Sequence, residues 1–571
     1  MAASTRGGSS SLAASNALQD KHLQRVVGRS WIAGHLSEGG ADADPYPFVA
    51  SIPPGGDAIP VAFHPASGEE IDRAAQAAWR AFHACGARSR EDRAALLERI
   101  ASNIEALGDD LVAWACAETG LHAARIRAER DRTTYTLRLF AQTVRDGSWV
   151  RAAIDLGEPG RKPLPKPDLR RMLRPLGPVA VFGAGNFPLA YSVAGGDTAS
   201  ALASGCPVVV KGHPGHPGTG ELVAESITKS VAEVGLDPGT FSYLHAGGPR
   251  EMEIGATLVK HPCIRAVGFT GSVEGGTAIA RIASERPDPI PVFAEMGSTN
   301  PVFVLPHAAR AGAEGIAEKL AASITASNGQ MCTCPGLVFM LKGEESESLL
   351  RHMASLLEAT PQQPMLNRRT METLARRVVE VTRTRGVETR VGRGLVSDPC
   401  SRAVASGPGL FRATLATFRA ERTLHKECFG PVATAIVCES EQEMLEGASL
   451  IQGSLTGSIF ASAMDATLAA RVQGILEQRV GRLIFNGVPT GVEVCHAMTH
   501  GGPFPATNQQ HTTAVGPLAI ERWCRPVSYQ NAPEQFLASE LRNENPLGIE
   551  RTVNGIRTKE PIRAGAARDE S

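Results

Sequence analysis

Apolar positions recur every three or four residues in the first third of the chain. This spacing covers Glu70 to Phe82 and Leu96 to Leu107, and it predicts two amphipathic helices. Ser89 followed by Asp92 predicts a capped start for the second helix. A further helix is expected around Leu137 to Val144. The chain between residues 70 and 147 is therefore predicted to be mainly helical.

From residue 179 onward, short apolar runs alternate with helical stretches. The runs that predict strands are Val179 to Phe182, Val208 to Lys211, Phe241 to Leu244, Ile264 to Phe269, Val302 to Leu305, Leu337 to Met340, Val432 to Val437 and Leu483 to Phe485. Strands that are apolar throughout and separated by helices indicate parallel sheets covered on both faces. The second alternation, which begins near Val302, predicts a second α/β unit.

Several segments show no regular spacing of apolar positions. Residues 150–174 are rich in proline and basic side chains and are interpreted as a linker or an extended arm. Residues 504–537 are polar and irregular. Residues 1–25 are predicted to be a flexible extension and residues 541–571 a disordered tail, because both have the composition of disordered chain.

Composition narrows the functional classes. The chain has 571 residues, and its formal net charge of -1 gives no field that would attract nucleic acid or an anionic membrane. No apolar run reaches the ~20 residues of a membrane helix. The eleven cysteines are scattered, which favours a reducing cytoplasm over a disulfide framework. Cys332 and Cys334 are the only close cysteine pair, and no metal site is predicted from such spacing.

Three residues in separate motifs could together carry chemistry. Cys332 lies in a turn after a predicted helix from Ala308 to Asn328, Glu295 ends an apolar strand, and Asn186 follows another. Two of them have a structural alternative: a buried filler for the cysteine and an Asx turn for the asparagine. A nucleophile, a base and an oxyanion donor are what acyl transfer or aldehyde oxidation requires.

Two further motifs suit a nucleotide. Gly268-Phe269-Thr270-Gly271-Ser272 follows a strand and opens a helix, where free N–H groups can bind phosphate, although its glycine spacing is not the dinucleotide fingerprint. Lys211 ends another strand at the edge where ligands bind parallel sheets. A glycine-eased turn and a solvated lysine are the structural alternatives.

Six motifs in order resemble the aldehyde dehydrogenase superfamily from about Val26 to Asn531. They are Asn186-Phe187-Pro188, Val210-Lys211, Gly268-Phe269-Thr270-Gly271-Ser272, Glu295-Met296-Gly297-Ser298, Gly329-Gln330-Met331-Cys332 and Lys426-Glu427-Cys428-Phe429-Gly430-Pro431. Together with Gly501-Gly502-Pro503-Phe504-Pro505, they look most like the α-ketoglutaric semialdehyde (2,5-dioxovalerate) dehydrogenase branch.

The resemblance implies an α/β fold with a Rossmann-type cofactor domain (26–149 and 172–296), an α/β catalytic domain (297–504) and a small oligomerisation arm (150–171 and 505–540). It implies a homodimer or homotetramer. It also implies the roles of individual residues: Cys332 as nucleophile, Glu295 as base for water and Asn186 as oxyanion donor. The cofactor residues implied are Lys211, Gly271, Ser272, Gly276, Glu427 and Phe429.

Substrate and cofactor preference depend on fewer residues. Phe187 is expected to line the substrate tunnel, and Arg170 and Arg171 are candidates for binding a distal carboxylate, with surface arginines as the alternative. Many NAD-preferring relatives have a glutamate three residues after the lysine. Here Pro214 takes that place, so NADP is the expected preferred cofactor, with NAD also accepted.

The reaction expected from the resemblance is oxidation of α-ketoglutaric semialdehyde to 2-oxoglutarate without coenzyme A. The alternatives are oxidation of aliphatic or long-chain aldehydes, a coenzyme A-acylating reaction, and a cofactor-binding homologue without turnover. Glu295 argues against the acylating reaction, and the presence of Cys332, Glu295 and Asn186 together argues against a non-catalytic homologue. Cys334 is the second candidate nucleophile by chemistry, and the motif assigns that role to Cys332.

Overall fold

The structure is a computed structural model that describes residues 25–39, 45–49, 58–84, 89–392, 394–395 and 404–563. The predicted flexible extension therefore lies almost wholly outside the described residues. The α-helices are α1 Gly68–Ala84, α2 Arg90–Ala106, α3 Gly108–Thr119, α4 Ala123–Asp146, α5 Gly196–Ser204, α6 Pro217–Glu233, α7 Glu251–Lys260, α8 Val273–Ser284, α9 Pro306–Thr325, α10 Glu344–Glu358, α11 Arg368–Arg383, α12 Leu415–Ala420, α13 Glu441–Leu450 and α14 Ala466–Leu476.

The strands alternate with these helices over most of the described chain. They are β1 Trp31–Ile32, β2 His35–Leu36, β3 Tyr46–Val49, β4 Ala58–Phe63, β5 Ala153–Asp155, β6 Leu169–Pro175, β7 Val179–Phe182, β8 Val208–Lys211, β9 Phe241–Leu244, β10 Ala266–Thr270, β11 Val292–Glu295, β12 Val302–Val304, β13 Leu337–Leu341, β14 Gln363–Pro364, β15 Glu388–Val391, β16 Ala405–Ser406, β17 Gly409–Thr414, β18 Val432–Cys438, β19 Ser454–Phe460, β20 Val480–Phe485, β21 Cys524–Gln530, β22 Arg551–Val553 and β23 Ile556–Thr558.

The first sheet has the strand order β11-β10-β7-β8-β9-β1-β2. Its five strands from β11 to β9 run parallel, and hydrophobic clusters cover both faces. The predicted helices at the N-terminal end pack here, and the Ser89–Asp92 capping box is present at the start of α2. Apolar strands buried on both faces are what the sequence pattern predicts for a parallel sheet, so the Rossmann-type prediction is confirmed.

The second sheet has the order β15-β17-β18-β13-β12-β19-β20, parallel except for the antiparallel pair of β15 and β17. Two further clusters cover its faces. The predicted second α/β unit is therefore confirmed. Strand β19 was not predicted, although its Ser454-Leu455-Thr456-Gly457-Ser458-Ile459-Phe460 is wholly buried, because small polar residues interrupt its apolar run.

A third, five-stranded sheet has the order β21-β6-β5-β22-β23. Strands β5 and β6 come from the segment interpreted as a linker or an arm, and the structure selects the arm. Strand β6 crosses the expected boundary at residue 171, and β21 lies in a segment predicted to be irregular. These strands were not predicted because they contain proline and arginine in place of a regular apolar pattern. Both residue types are tolerated on exposed sheet surfaces.

The prediction of a disordered tail from residue 541 is wrong for the described part, 541–563. Strand β22 pairs in parallel with β5, and β23 closes a hairpin with β22. Leu541, Ile549 and Arg551 are buried, and the two apolar residues join the hydrophobic core of this sheet. The charged composition of this segment led to the prediction of disorder. Its few apolar residues are nevertheless buried, because they pack against a sheet that other parts of the chain supply. Residues 564–571 lie outside the described part.

Candidate active site

One large cavity lies between the first two sheets. It has a volume of about 2310 Å³, and residues at the carboxyl ends of β7, β8, β10 and β11 line one side. The other side comes from the turn after α9, the start of α11 and the segments around Glu427 and His500. Ligands bind open α/β sheets at the carboxyl ends of their strands. The cavity therefore occupies the position expected for both a cofactor and a reacting substrate.

The turn that carries Cys332 is built by unusual backbone. Helix α9 ends at Thr325, and Ser327, Asn328 and Gly329 follow with positive φ angles of 49°, 54° and 65°. A Cβ on Gly329 would stand 2.1 Å from the carbonyl carbon of Gly430, so only glycine fits there. Two glycines of separate sequence motifs are thus in contact, and this close approach positions the loop that ends in Cys332.

Asn300 fixes the same loop from below. Its fully buried amide donates to the carbonyl oxygens of Cys332 at 2.8 Å and Cys334 at 2.9 Å. Its own oxygen accepts from Ser298 Oγ at 2.8 Å and Thr456 Oγ1 at 2.9 Å. All four hydrogen bonds are made in the core, where an unpaired amide would be costly. Asn300 therefore connects the loop that carries Cys332 to Thr456 of β19, in the second sheet.

The Cys332 thiol lines the cavity and lies beside an imidazole. Its Sγ is 3.8 Å from His500 Nε2. Burial raises the pKa of Cys332 to about 12, and nearby Glu427 and Glu295 add to the rise. Burial also lowers the pKa of His500 to about 3, so its imidazole stays neutral near pH 7. An imidazole with so low a pKa is a weak base, so His500 contacts the thiol as a hydrogen-bond partner and not as the acceptor of its proton.

Cys334 is placed differently from Cys332. Its side chain is buried, with Sγ 3.7 Å from the Ile324 carbonyl oxygen and 3.8 Å from that of Gly430. It does not line the large cavity. Burial raises the pKa of the Cys334 thiol well above its ordinary range. Cys334 therefore packs beneath the turn, and Cys332 alone of the pair faces the space where a substrate can bind.

Glu295 ends β11 and faces the cavity from the first sheet. Its Oε2 is buried and has no hydrogen-bond partner among the described residues. Burial raises its pKa to about 8, and Arg522, which is paired with Asp197, limits the rise. A carboxyl group with this pKa can exchange a proton near neutral pH, as a general base must. The backbone around it is fixed, because Gly271 N–H donates to the Glu295 carbonyl oxygen at 3.0 Å.

Asn186 and Phe187 lie together beside the nucleophile. The Asn186 amide donates to the Gln330 carbonyl oxygen at 3.0 Å, two residues before Cys332. Phe187 packs edge-on against Tyr191 at 5.1 Å, and both rings line the cavity. The structure thus places Asn186 at the cysteine turn, where its amide can serve an oxyanion, and Phe187 in the cavity wall.

The proposed nucleotide residues are spread along the rest of the cavity. Lys211 is buried at the end of β8, and its Nζ is 3.0 Å from Glu251 Oε1. Ser272 caps α8, because its Oγ accepts from Gly275 N–H and its carbonyl oxygen accepts from Gly276 N–H. The remaining first-turn residues, Val273 and Glu274, both line the cavity. Glu427 packs against Gly297, and Phe429 also lines the cavity. Burial raises the pKa of Glu427 to about 8.

Two glycine assignments need revision. Gly271 lines the cavity, but its N–H donates to Glu295 and is not available to a phosphate. Gly276 lies outside the cavity lining, and a Cβ there would stand 2.5 Å from Met296 Sδ. Gly276 therefore allows α8 to pack closely on the strand-end segment after Glu295, which is a structural role. Lys211, the residues at the start of α8 and Glu427 all line the same cavity.

The prediction that Arg170 and Arg171 bind substrate is corrected by their positions in β6. Arg170 is buried in the five-stranded sheet, where it pairs with Asp168 at 2.9 Å and donates to the Leu541 carbonyl oxygen at 2.6 Å. Arg171 is exposed. Neither lines the cavity. Arg132 does not line the cavity either, but its Nη2 donates to the hydroxyl of the cavity residue Tyr191 at 3.0 Å and its Nη1 donates to the Val492 carbonyl oxygen.

Within the residues that the structure describes, no group of three or more His, Cys, Asp or Glu side chains could hold a metal ion. In the same residues, no helix is long and apolar enough to cross a membrane.

The fold and site together define an α/β protein in which a cysteine and a buried glutamate face one cleft at the carboxyl ends of parallel strands. The aldehyde dehydrogenase family model matches residues 44–503. The chain therefore belongs to the aldehyde dehydrogenase family, whose members use NAD(P). The expectation of an enzyme of this family is confirmed.

Similar proteins cover nearly the whole chain. Alpha-ketoglutaric semialdehyde dehydrogenase 2 of Azospirillum brasilense is 45% identical over 507 residues, which are 86% of this chain and 95% of that protein. Alpha-ketoglutaric semialdehyde dehydrogenase of Acinetobacter baylyi is 43% identical over 498 residues, 87% of this chain and 93% of that one. The betaine aldehyde dehydrogenase of Staphylococcus aureus in complex with NAD+ has the same fold, with a TM-score of 0.74, 20% identity and coverage of 91% and 98%.

Sequence reasoning missed four residues of this site: Asn300, His500, Tyr191 and Arg132. Asn300 follows the Glu295-Met296-Gly297-Ser298 motif closely, and this closeness in sequence could have identified it as a residue of the site. Its φ is positive, at 43°, which asparagine tolerates. The other three carry no local pattern. Tyr191 and His500 stack 6.4 Å apart although 309 positions separate them in the printed numbering, and only folding joins them.

Proposed function

We propose that this protein oxidises α-ketoglutaric semialdehyde (2,5-dioxopentanoate) to 2-oxoglutarate with NADP as the preferred cofactor and without coenzyme A. The observation that carries the reaction is the shared cavity of Cys332 and Glu295, where the glutamate has a carboxylate oxygen without a partner among the described residues. The names of the Azospirillum and Acinetobacter relatives support the substrate.

The chain's own residues divide the chemistry into two stages. Cys332 loses its thiol proton to solvent and attacks the aldehyde carbon as a thiolate, while Asn186 and the Cys332 backbone N–H donate to the developing oxyanion. Lys211, the α8 start and Glu427 would hold NAD(P), which would supply the acceptor for the hydride that is lost when the thiohemiacetal becomes a thioester on Cys332. Glu295 then takes a proton from the water that hydrolyses the thioester. A base for water at this place supports the non-acylating reaction.

Arg132 supports a substrate with a distal carboxylate. Its guanidinium donates to Tyr191 Oη at 3.0 Å and lies 5.8 Å from the centre of that ring. Tyr191 in turn packs against Phe187 and stacks with His500, beside the nucleophile. An arginine at this end of the site can pair with a carboxylate, for which its fork of donors is suited.

The substrate proposal is tested with Arg132→Ala and two aldehydes of equal length, 2,5-dioxopentanoate and pentanal. We expect KM for the charged aldehyde to rise by about tenfold, a loss of ~1.4 kcal/mol, with KM for pentanal unchanged. Arg127→Ala is a matched control, because Arg127 lies on the same helix and pairs with exposed Asp109. If wild type favours pentanal, or if Arg132→Ala affects both aldehydes equally, aliphatic aldehyde oxidation becomes the better assignment.

NADP preference rests on the residues around Lys211. Pro214 lines the cavity where many NAD-preferring relatives have a glutamate, and it offers no carboxylate to repel a 2′-phosphate. Arg369 adds a second cation near Lys211. We expect kcat/KM for NADP to exceed that for NAD. A tenfold advantage for NAD, about 1.4 kcal/mol, would contradict the preference.

We further propose a cytoplasmic homodimer or homotetramer. All nine cysteines in the described residues are free thiols, which suits a reducing compartment. The five-stranded sheet, called the arm sheet, exposes Ile556 of β23, and the segments beside it expose Leu164 and Phe536. These three side chains are 69%, 69% and 74% accessible and suit contact with a second copy. Light scattering coupled to size exclusion distinguishes the two assemblies, and a monomer would contradict both.

A further inference from the structure

The carboxylate that Pro214 lacks is supplied by another part of the fold. Glu251 begins α7, forty residues after Lys211, and its Oε1 is 3.0 Å from Lys211 Nζ. The Lys211 side chain is only 9% exposed, and Glu251 is 23% exposed at the cavity wall. A buried ammonium needs a charged partner. Glu251 therefore provides the counter-charge of Lys211 in the part of the cleft that holds Pro214.

The second oxygen of Glu251 faces a cation from the opposite domain. Arg369 Nη1, in the first turn of α11, lies 3.7 Å from Glu251 Oε2. The Arg369 side chain is 81% exposed, so it is free to move within the cleft. Lys211, Glu251 and Arg369 all line the cavity, together with His213, Pro214 and Met252. One carboxylate thus stands between two cations that come from the two walls of the cleft.

Lys211, Glu251 and Arg369 together interact differently with NAD, which has a ribose 2′-hydroxyl, and with NADP, which has a 2′-phosphate. A ribose 2′-hydroxyl can donate to the Glu251 carboxylate, as acidic residues do in dinucleotide sites. A 2′-phosphate is repelled by that carboxylate and attracted by Lys211 and Arg369. The formal charge of the set is +1 with Glu251 ionised, and it would be +2 without that charge. The carboxylate therefore favours the hydroxyl and opposes the phosphate.

We propose that Glu251 is the residue that sets how strongly this enzyme discriminates between NADP and NAD. Bound NADP requires Lys211 and Arg369 to leave the Glu251 carboxylate and pair with the 2′-phosphate, whereas bound NAD uses Glu251 as an acceptor. The inference deepens the proposed cofactor preference: Pro214 removes one source of repulsion, and Glu251 retains part of it. No covalent step is involved.

The test compares Glu251→Gln with Glu253→Gln, a control on the same helix whose carboxylate pairs with Arg250 and lies outside the cavity lining. Dissociation constants for NADPH and NADH are measured by cofactor fluorescence, alongside kcat/KM for NADP and NAD. In Glu251→Gln we expect two ratios to rise at least fivefold, about 1 kcal/mol. They are the affinity for NADPH relative to that for NADH, and kcat/KM with NADP relative to that with NAD. The control should stay within twofold of wild type. A rise below fivefold in Glu251→Gln, or an equal rise in the control, overturns the proposal.

A second variant keeps the test valid if Glu251→Gln does not fold. Arg369 is exposed, so Arg369→Ala is expected to fold normally. Adenosine 2′,5′-bisphosphate and adenosine 5′-monophosphate are used as competitive inhibitors. We expect the affinity for the bisphosphate to fall at least fivefold and that for the monophosphate to stay within twofold. Equal affinities for the bisphosphate in wild type and variant overturn the proposal.

The two hypotheses fail separately. If wild type prefers NAD, the proposed NADP preference is wrong, but a fivefold shift in Glu251→Gln still supports the role of Glu251. If wild type prefers NADP and Glu251→Gln leaves the ratio unchanged, the role of Glu251 is wrong and the preference stands.

Discussion

The catalytic cleft and the arm sheet both bury charged side chains, but these side chains differ in whether their polar atoms have hydrogen-bond partners. In the cleft, Glu295 keeps a carboxylate oxygen without a hydrogen-bond partner among the described residues, and burial raises its pKa to about 8. In the arm, buried Arg170 pairs with Asp168 and donates to the Leu541 carbonyl oxygen. Burying an unpaired polar group costs several kcal/mol by common estimates, and structural positions avoid it.

The contrast teaches that burial alone does not identify a functional charge. Arg170 is as inaccessible as Glu295, at 6% and 7% exposure. What separates them is whether the surrounding chain already satisfies the group. A satisfied guanidinium joins β6 to the C-terminal segment, while an unsatisfied carboxyl facing a cavity can bind water or substrate. This difference also explains why the substrate role assigned to Arg170 fails.

The largest expected effect comes from the cleft's nucleophile. Cys332→Ala should lower kcat by roughly 10⁴-fold or more, since the covalent route is removed. Cys334→Ser should keep activity within about tenfold, because its thiol packs beneath the turn, and replacement of a buried thiol mainly costs stability. Reduced-cofactor absorbance measures both. Loss of oxidation only in Cys334→Ser would reverse the assignment of the nucleophile.

The base should give the next largest effect. Glu295→Gln is expected to slow thioester hydrolysis by about 10²- to 10⁴-fold while a burst of reduced cofactor remains. Because the pKa of Glu295 is raised to about 8, the active carboxylate form accumulates as the pH rises. The wild-type hydrolysis rate should therefore increase through pH 8. Rapid-mixing kinetics across pH 6.5 to 9.5 test this, and an unchanged pH profile in Glu295→Gln would exclude the role.

The oxyanion donor should matter somewhat less. Removing the amide in Asn186→Ala should lower kcat by about 10²- to 10³-fold with little change in KM, since its hydrogen bond strengthens only as charge develops. Phe187→Leu is a comparison from the next position, where we expect a change mainly in KM. If Asn186→Ala alters KM alone, its amide serves substrate binding or the Gln330 carbonyl oxygen instead.

The arm should show the smallest effect on catalysis and a measurable one on stability. Arg170→Ala leaves Asp168 and the Leu541 carbonyl oxygen without this partner, and we expect a loss of about 1–3 kcal/mol in the free energy of unfolding. Its kcat/KM should stay within twofold of wild type. Arg171→Ala, at the exposed neighbouring position, should change neither quantity. Chemical denaturation and steady-state kinetics give the two readouts. A tenfold rise in KM for Arg170→Ala alone would restore its substrate role.

Regular patterns carried most of what could be predicted about the fold. Buried strands such as β8 and β13 are uninterrupted apolar runs, so the two parallel sheets were predictable. Strand β19 contains Ser454, Thr456 and Ser458, and β21 alternates exposed and half-buried residues. Neither strand is a continuous apolar run. In β19, Ser454 and Thr456 form hydrogen bonds with the distant Thr299 and Asn300, and β21 lies in the partly exposed arm sheet. The tail strand β22 pairs with the distant β5 as well as with its neighbour β23.

The sequence by itself predicted the reacting groups, because Cys332, Glu295 and Asn186 stand in motifs whose chemistry is local. Tertiary structure alone decided which groups serve them. His500 reaches Cys332 across 168 positions, Glu251 joins Lys211 from another element, and Arg170 turns away into the arm. A motif reflects only the requirements of one short segment of the backbone. Burial, partners and pKa arise from side chains that distant segments bring together, and these exist only once the chain has folded.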